Sequence, residues 1–172
     1  YIKGRLVEKN PTDVVIETTS GVAYLINVSL YTYGKIKETE TLKLYIHTVI
    51  REDAHQLFGF FSREEREIFR KLIAVSGVGA GTARTILSSM DPKDVIRAVS
   101  GGDVTSFKNV KGIGMKTAQR IILDLKGKLD FGCGDAEIPG LDPYQATAAL
   151  RTEALDALEI LGFVRKNCER YV

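Results

Sequence analysis

The sequence predicts a multidomain α+β chain, and three observations carry that prediction. Apolar residues alternate at the period of a strand through residues 1–62. A glycine hairpin followed by a helix occurs twice, at a fixed offset, within residues 63–129. Residues 130–145 then turn to glycine, proline and acids, and a short helical pattern closes the chain over 146–172.

Composition sets the outer bounds. The 172 residues are 44% hydrophobic and 27% charged, which suits one to three small globular domains. No apolar run reaches the length that spans a bilayer, so no membrane partner is expected. Cys133 and Cys168 lie far apart, with no Cys or His beside either at ligand spacing. No structural zinc, other metal or cofactor is therefore expected, and a reducing cytoplasm is the expected compartment. His47 and His55 are solitary and read as ordinary strand residues.

The first segment reads as all-β. A strand over 2–7 meets the turn residues Asn10 and Pro11, and a second follows over 14–18. Thr19-Ser20-Gly21 marks a hairpin into a strand over 22–28, where Tyr24, Ile26 and Val28 alternate with Ala23, Leu25 and Asn27. Leu42, Leu44 and Ile46 repeat the alternation, and 55–61 closes it. Five short strands suggest a small barrel, for which an OB-fold is the natural candidate. Arg51-Glu52-Asp53-Ala54 sets two carboxylates at the tip between the last strands. In a chain that binds a polyanion, such a tip either lies away from it or pushes strands apart. Nuclease chemistry would need further carboxylates converging on the pair, and the sequence offers no clear set.

The middle segment is helical. Ser62 is placed to cap a helix over 63–75, with Glu64 and Glu65 in its first turn. Asp91-Pro92 opens a helix through 99, Gly101-Gly102 breaks it, and Asp103 caps a short helix to 107. A last helix runs from 115 to about 129. Within this segment the chain repeats itself at an offset of 35 residues. Val75, Gly77, Val78 and Gly79 fall on Val110, Gly112, Ile113 and Gly114. Thr82, Ala83, Ile86 and Leu87 fall on Thr117, Ala118, Ile121 and Ile122.

Each unit is thus a helix, a Gly-x-Gly hairpin and a second helix. Glycine permits positive φ or close approach of another backbone, and that role is expected at all four positions. Val78 and Ile113 are placed to plug between the paired helices. Thr82 and Thr117 sit where a hydroxyl can satisfy free N–H groups or reach a phosphate. Neither second helix opens with a carboxylate, so both N-termini suit an anion. A tandem helix-hairpin-helix that grips nucleic-acid backbone without reading sequence is the expected module.

Charge supports that reading. The net charge is +2, but residues 1–62 are balanced, 63–130 carry thirteen Lys/Arg against eight Asp/Glu, and 131–172 carry four against seven. Lys108, Lys111, Lys116, Arg120, Lys126 and Lys128 face only Asp124 along their span. The linker over 130–145 leads to an acidic unit in which Ala154, Leu155, Leu158 and Leu161 share one helix face. Gly162 is placed to end that helix and Phe163 to pack back across it.

The order of these parts resembles the RuvA family of bacterial Holliday-junction-binding proteins, over essentially the whole chain. The local matches are Ile2-Lys3-Gly4-Arg5-Leu6, Arg51-Glu52-Asp53-Ala54 with Leu57-Phe58-Gly59-Phe60, and both hairpins. Ala157-Leu158-Glu159-Ile160-Leu161-Gly162-Phe163 matches the family's third domain. The resemblance implies a homotetramer, with an octamer as a further assembly, that holds a four-way DNA junction open. It makes Glu52 and Asp53 an acidic pin near the junction centre. It implies a UBA-like third domain, incomplete at Val172, that binds the hexameric ATPase RuvB through Leu158, Leu161 and Phe163. The RuvC resolvase is a further partner it suggests. Gly81 stands where the family often has a lysine, so the first clasp is expected to lean on backbone N–H groups and Arg84.

The function expected is non-catalytic, structure-specific DNA binding in recombination and repair. Its expected contacts are Gly77, Gly79, Thr82, Arg84, Lys111, Gly112, Gly114, Lys116, Thr117 and Arg120. Two alternatives stand beside it. A glycosylase-like repair enzyme would use Asp130 as its catalytic acid. A DNA-binding scaffold would stack single strands on Tyr24, Tyr31 or Tyr33.

Overall fold

The computed structural model describes residues 1–37 and 41–129. The expected linker and third domain, with Asp130, Leu158, Leu161 and Phe163, lie outside the described residues.

Five strands close a barrel in the order β1 (Ile2–Lys9), β2 (Asp13–Glu17), β3 (Ala23–Val28), β5 (His55–Phe60) and β4 (Leu42–Ile50). All neighbours run antiparallel except β3 and β5, which pair in parallel through Asn27–Phe58 and Val28–Gly59. Alternation decides what faces inward. Val14, Ile16, Ile26, Val28, Leu42 and Leu44 fill the barrel with Ile36. The first strand is longer than its apolar run because a register shift between Leu6 and Glu8 lets it bend and continue.

The all-β expectation for this segment is corrected by a helix, α1 (Leu30–Lys35). Ser29 caps it, accepting a hydrogen bond from the Thr32 N–H at 3.0 Å. Six residues give too little length for a helical period to declare itself against strand-like Tyr and Thr.

The helices follow in the expected order. They are α2 (Arg63–Ile73), α3 (Ala80–Ser89), α4 (Pro92–Gly101), α5 (Val104–Lys108) and α6 (Met115–Leu125). Ser62 caps α2 by accepting from the Glu65 N–H at 3.1 Å. Asp103 caps α5 by accepting from the N–H groups of Thr105 and Ser106. Those bonds, with the Ser106 hydroxyl foremost, hold the Asp103 carboxyl below its usual range. Asp91 occupies the cap position of α4 but makes no cap hydrogen bond. The last helix ends four residues before its expected limit, because Lys126 leaves helical ψ and Gly127 turns to φ 73°.

The barrel and helices share packing. Phe58 and Phe60 of β5 join the helical core, with ring centroids 5.1 and 4.8 Å from Phe69 of α2. Such aromatic pairs contribute about 0.5–1.5 kcal/mol each beyond their buried area. The boundary after residue 62 therefore separates two architectures that meet through one core.

Candidate nucleic-acid interface

The two hairpins superimpose in their torsions. Gly77 has φ 90° and Gly112 has φ 87°, a left-handed conformation that a side chain would strain. Gly79 and Gly114 do not take the positive-φ alternative. Both have φ −86°, with ψ 170° and 167°, which any residue adopts. Their lack of a side chain serves access instead. A Cβ at either position would meet nothing within 4 Å, so the space before each helix stands open to an incoming backbone.

That opening faces unpaired donors. The first helical bonds run from Ala83 N–H to Gly79 O and from Ala118 N–H to Gly114 O, both at 2.9 Å. The N–H groups of the residues between have no helical partner. Neither N-terminus has a side-chain cap or an acidic first turn. Of the two roles expected of Thr82 and Thr117, bonding the free N–H groups is not seen at either helix start. Val78 and Ile113 are buried between the paired helices, as their spacing predicts.

Cations surround the second opening. Lys111, Lys116 and Arg120 are exposed and make no ion pair among the described residues. Arg120 also reaches across to the first hairpin, where its Nη1 donates to Ser76 Oγ at 3.1 Å. Ser76 immediately precedes Gly77, so this bond brings the two hairpins onto one surface.

The expected phosphate role of Arg84 meets a competing engagement. Its Nη1 donates to Asn27 Oδ1 at 3.0 Å and to Thr12 O at 3.2 Å, tying α3 to the barrel. Ser88 strengthens the tie by accepting from the Leu30 N–H at 3.0 Å. With Gly81 beside it, the first opening is lined by backbone rather than by free charge.

A second tie was hidden in the sequence. Glu65, placed by the sequence in the first turn of a helix, is wholly buried. Ser29 Oγ and Thr32 Oγ1 each donate to it at 2.6 Å, and the Phe61 N–H donates at 3.1 Å. Burial pushes its pKa up, against the pull of these donors. Serine and threonine placed beside a short helix are the only sequence signal of this partner, and they signal capping equally well.

Glu52 and Asp53 sit at the β4–β5 tip, both exposed, where Arg51 N–H bonds Ala54 O at 2.9 Å. The tyrosines of the single-strand alternative are all partly buried. Tyr24 and Tyr33 pack against the barrel core, Lys9 lies 4.8 Å from the Tyr33 ring, and Lys35 lies 5.4 Å from that of Tyr31.

Comparison with known proteins accords with both halves of this architecture. Residues 1–59 match the RuvA N terminal domain, and residues 69–127 match the SAM-like Helix-hairpin-helix tandem. Over 174 residues, all of this chain and 86% of the relative, it is 48% identical to the Holliday junction branch migration complex subunit RuvA of Flavobacterium psychrophilum. The protein of that name from Christiangramia forsetii is also 48% identical, again over all of this chain and 86% of the relative. That from Cytophaga hutchinsonii is 44% identical over 99% of this chain and 85% of its own length. The chain belongs to the RuvA family.

Within that family frame, the described residues divide by task. Gly77, Gly79, Gly112 and Gly114 shape two open helix mouths, and Lys111, Lys116 and Arg120 charge one of them. Glu65 and Arg84 join the RuvA N-terminal barrel to the hairpins. No helix among the described residues is long and apolar enough to cross a membrane.

Proposed function

We propose that this chain is the junction-binding subunit of a Holliday junction branch migration complex, with RuvB as its motor partner. The observation that carries the reading is the pair of matched, unblocked helix mouths held on one surface by the Arg120–Ser76 bond. Such mouths bind phosphate through backbone donors and carry no sequence information. Preference for a four-way junction then comes from geometry, with several copies each gripping a duplex arm. A homotetramer meets that need, and an octamer would enclose the junction from both faces.

In this reading the subunit is non-catalytic and works in the cytoplasm. Glu52 and Asp53 form the acidic pin that repels phosphates at the junction centre and helps part the strands. Leu158, Leu161 and Phe163 contact the motor, and RuvC is a further partner on the junction.

Binding to a synthetic four-way junction, a linear duplex and a single strand, compared at one fixed salt concentration, tests the proposal. The junction is expected to bind tightest, with the native mass of the complex giving the copy number. Equal affinity for junction and duplex would overturn it.

A further inference from the structure

A separate patch of positive charge lies on the barrel and the first turns of α2. Lys3 and Lys43 are exposed cross-strand partners in the β1–β4 ladder. Helix α2 adds Arg63, Arg66 and Arg70 at spacings of three and four residues, on one face. Two tyrosine rings collect these cations. Lys43 Nζ lies 4.6 Å from the Tyr1 ring and 5.1 Å from that of Tyr45. The guanidinium carbons of Arg63 and Arg66 lie 5.6 and 5.8 Å from the Tyr45 ring. One ring thus gathers three cations.

Negative charge does not match them. Glu67 accepts from Arg66 Nη2 at 3.1 Å and Arg70 Nη1 at 3.2 Å. Lys3, Lys43 and Arg63 make no ion pair among the described residues. Arg66 Nε is buried without an acceptor. The electropositive surroundings register on neighbouring groups. A hydrogen bond from Arg63, with Lys43 nearby, holds the Tyr45 phenol below its usual range. Burial, then Arg70 and Arg66, push His47 down.

Like charges directly opposite on paired strands, as Lys3 and Lys43 are, destabilise the pair. Cation–π contacts offset about 0.5–1 kcal/mol each at exposed sites, but leave the net charge as it was. An external anion would neutralise it.

We propose that Lys3, Lys43, Tyr45, Arg63 and Arg66 form a second phosphate-binding site, which takes the sugar-phosphate backbone of DNA at a place apart from both hairpins. The tyrosine rings keep Lys43, Arg63 and Arg66 at one place on the surface. The inference rests on the junction-holding reading, which already supplies a polyanion long enough to reach beyond the hairpins. The competing occupant is an acidic face of a second copy.

Two measurements on the full chain test it. In the wild-type protein, lysine acetylation read by mass spectrometry should show Lys3 and Lys43 protected when a four-way junction is added, and reactive without DNA. In the double variant Lys43→Gln, Arg63→Gln, the slope of log affinity against log salt should fall by about 1.8, at 0.9 for each duplex phosphate lost. An unchanged slope with unprotected lysines overturns the proposal, while the wild-type junction preference reports separately on the reading beneath it. Lysines protected without DNA, with a lower native mass in the variant, would assign the patch to contacts between copies and also overturn it.

Discussion

In the first hairpin the Val78 N–H reaches Val75 O at 3.0 Å, and in the second the Ile113 N–H reaches Val110 O at 3.1 Å. The left-handed glycines differ by 3° in φ. Around that shared backbone the side chains diverge. The second helix opens Met115-Lys116-Thr117, where the first opens Ala80-Gly81-Thr82. The arginine of the first hairpin's helix is bonded to the barrel, whereas Arg120 of the second stays at the surface and spans to Ser76. One backbone therefore supports two duties. The second hairpin's helix opens with an exposed lysine, and the arginine of the first hairpin's helix is bonded to the barrel.

Backbone substitutions should break the likeness most severely. Gly112→Val forces a β-branched residue to φ 87°, at a cost of about 2 kcal/mol, and should abolish junction binding. Gly114→Ala meets no strain and no neighbour, so its unfolding midpoint should stay put while affinity falls. Urea denaturation beside a junction titration separates the two outcomes.

The arginines should sharpen the contrast. Arg84→Ala is expected to cost about 1.5–3 kcal/mol of stability, since it removes charged hydrogen bonds to Asn27 and Thr12, and to change the salt slope little. Lys116→Ala should do the reverse, lowering the slope by about 0.9 with stability unchanged. A slope change in Arg84→Ala matching that of Lys116→Ala would mean the guanidinium leaves the barrel for a phosphate.

A smaller effect concerns Glu65. Its folded pKa lies above the ordinary 4.5, so the native state holds this proton more tightly than the unfolded chain does. Its favourable contribution is therefore complete below pH 4.5 and is lost as pH rises through the folded value. Wild-type stability relative to Glu65→Gln should decline over that interval, and urea midpoints at acid and neutral pH measure the decline. The smallest change in affinity is expected at the pin. Glu52→Gln with Asp53→Asn should leave junction binding equal or slightly tighter while branch migration by the motor changes. Lost binding would refute the pin's assignment as a repulsive element.

What could be read from the sequence were features whose cause is local. Gly77 and Gly112 announce themselves because φ near 90° excludes other residues, and the repeat shows that demand twice. Ile26, Val28, Leu42 and Leu44 were legible as one face of their strands because their alternation matches the pleat. What escaped depends on partners distant along the chain. Glu65 looks like any first-turn carboxylate until Ser29 and Thr32 fold against it. Arg84 reads as a phosphate ligand, and nothing local in the sequence shows its bond to Asn27, 57 residues away. The helix at Leu30–Lys35 failed for a different reason, being shorter than two turns.

Only Phe61 and Ser62 separate the end of β5 from the start of α2. The Phe61 N–H and the Ser62 hydroxyl are both spent on α2, through bonds to Glu65. The β4–β5 ribbon, with the acidic tip at its far end, is thus tied by hydrogen bonds at its base to the helix that leads to the first hairpin.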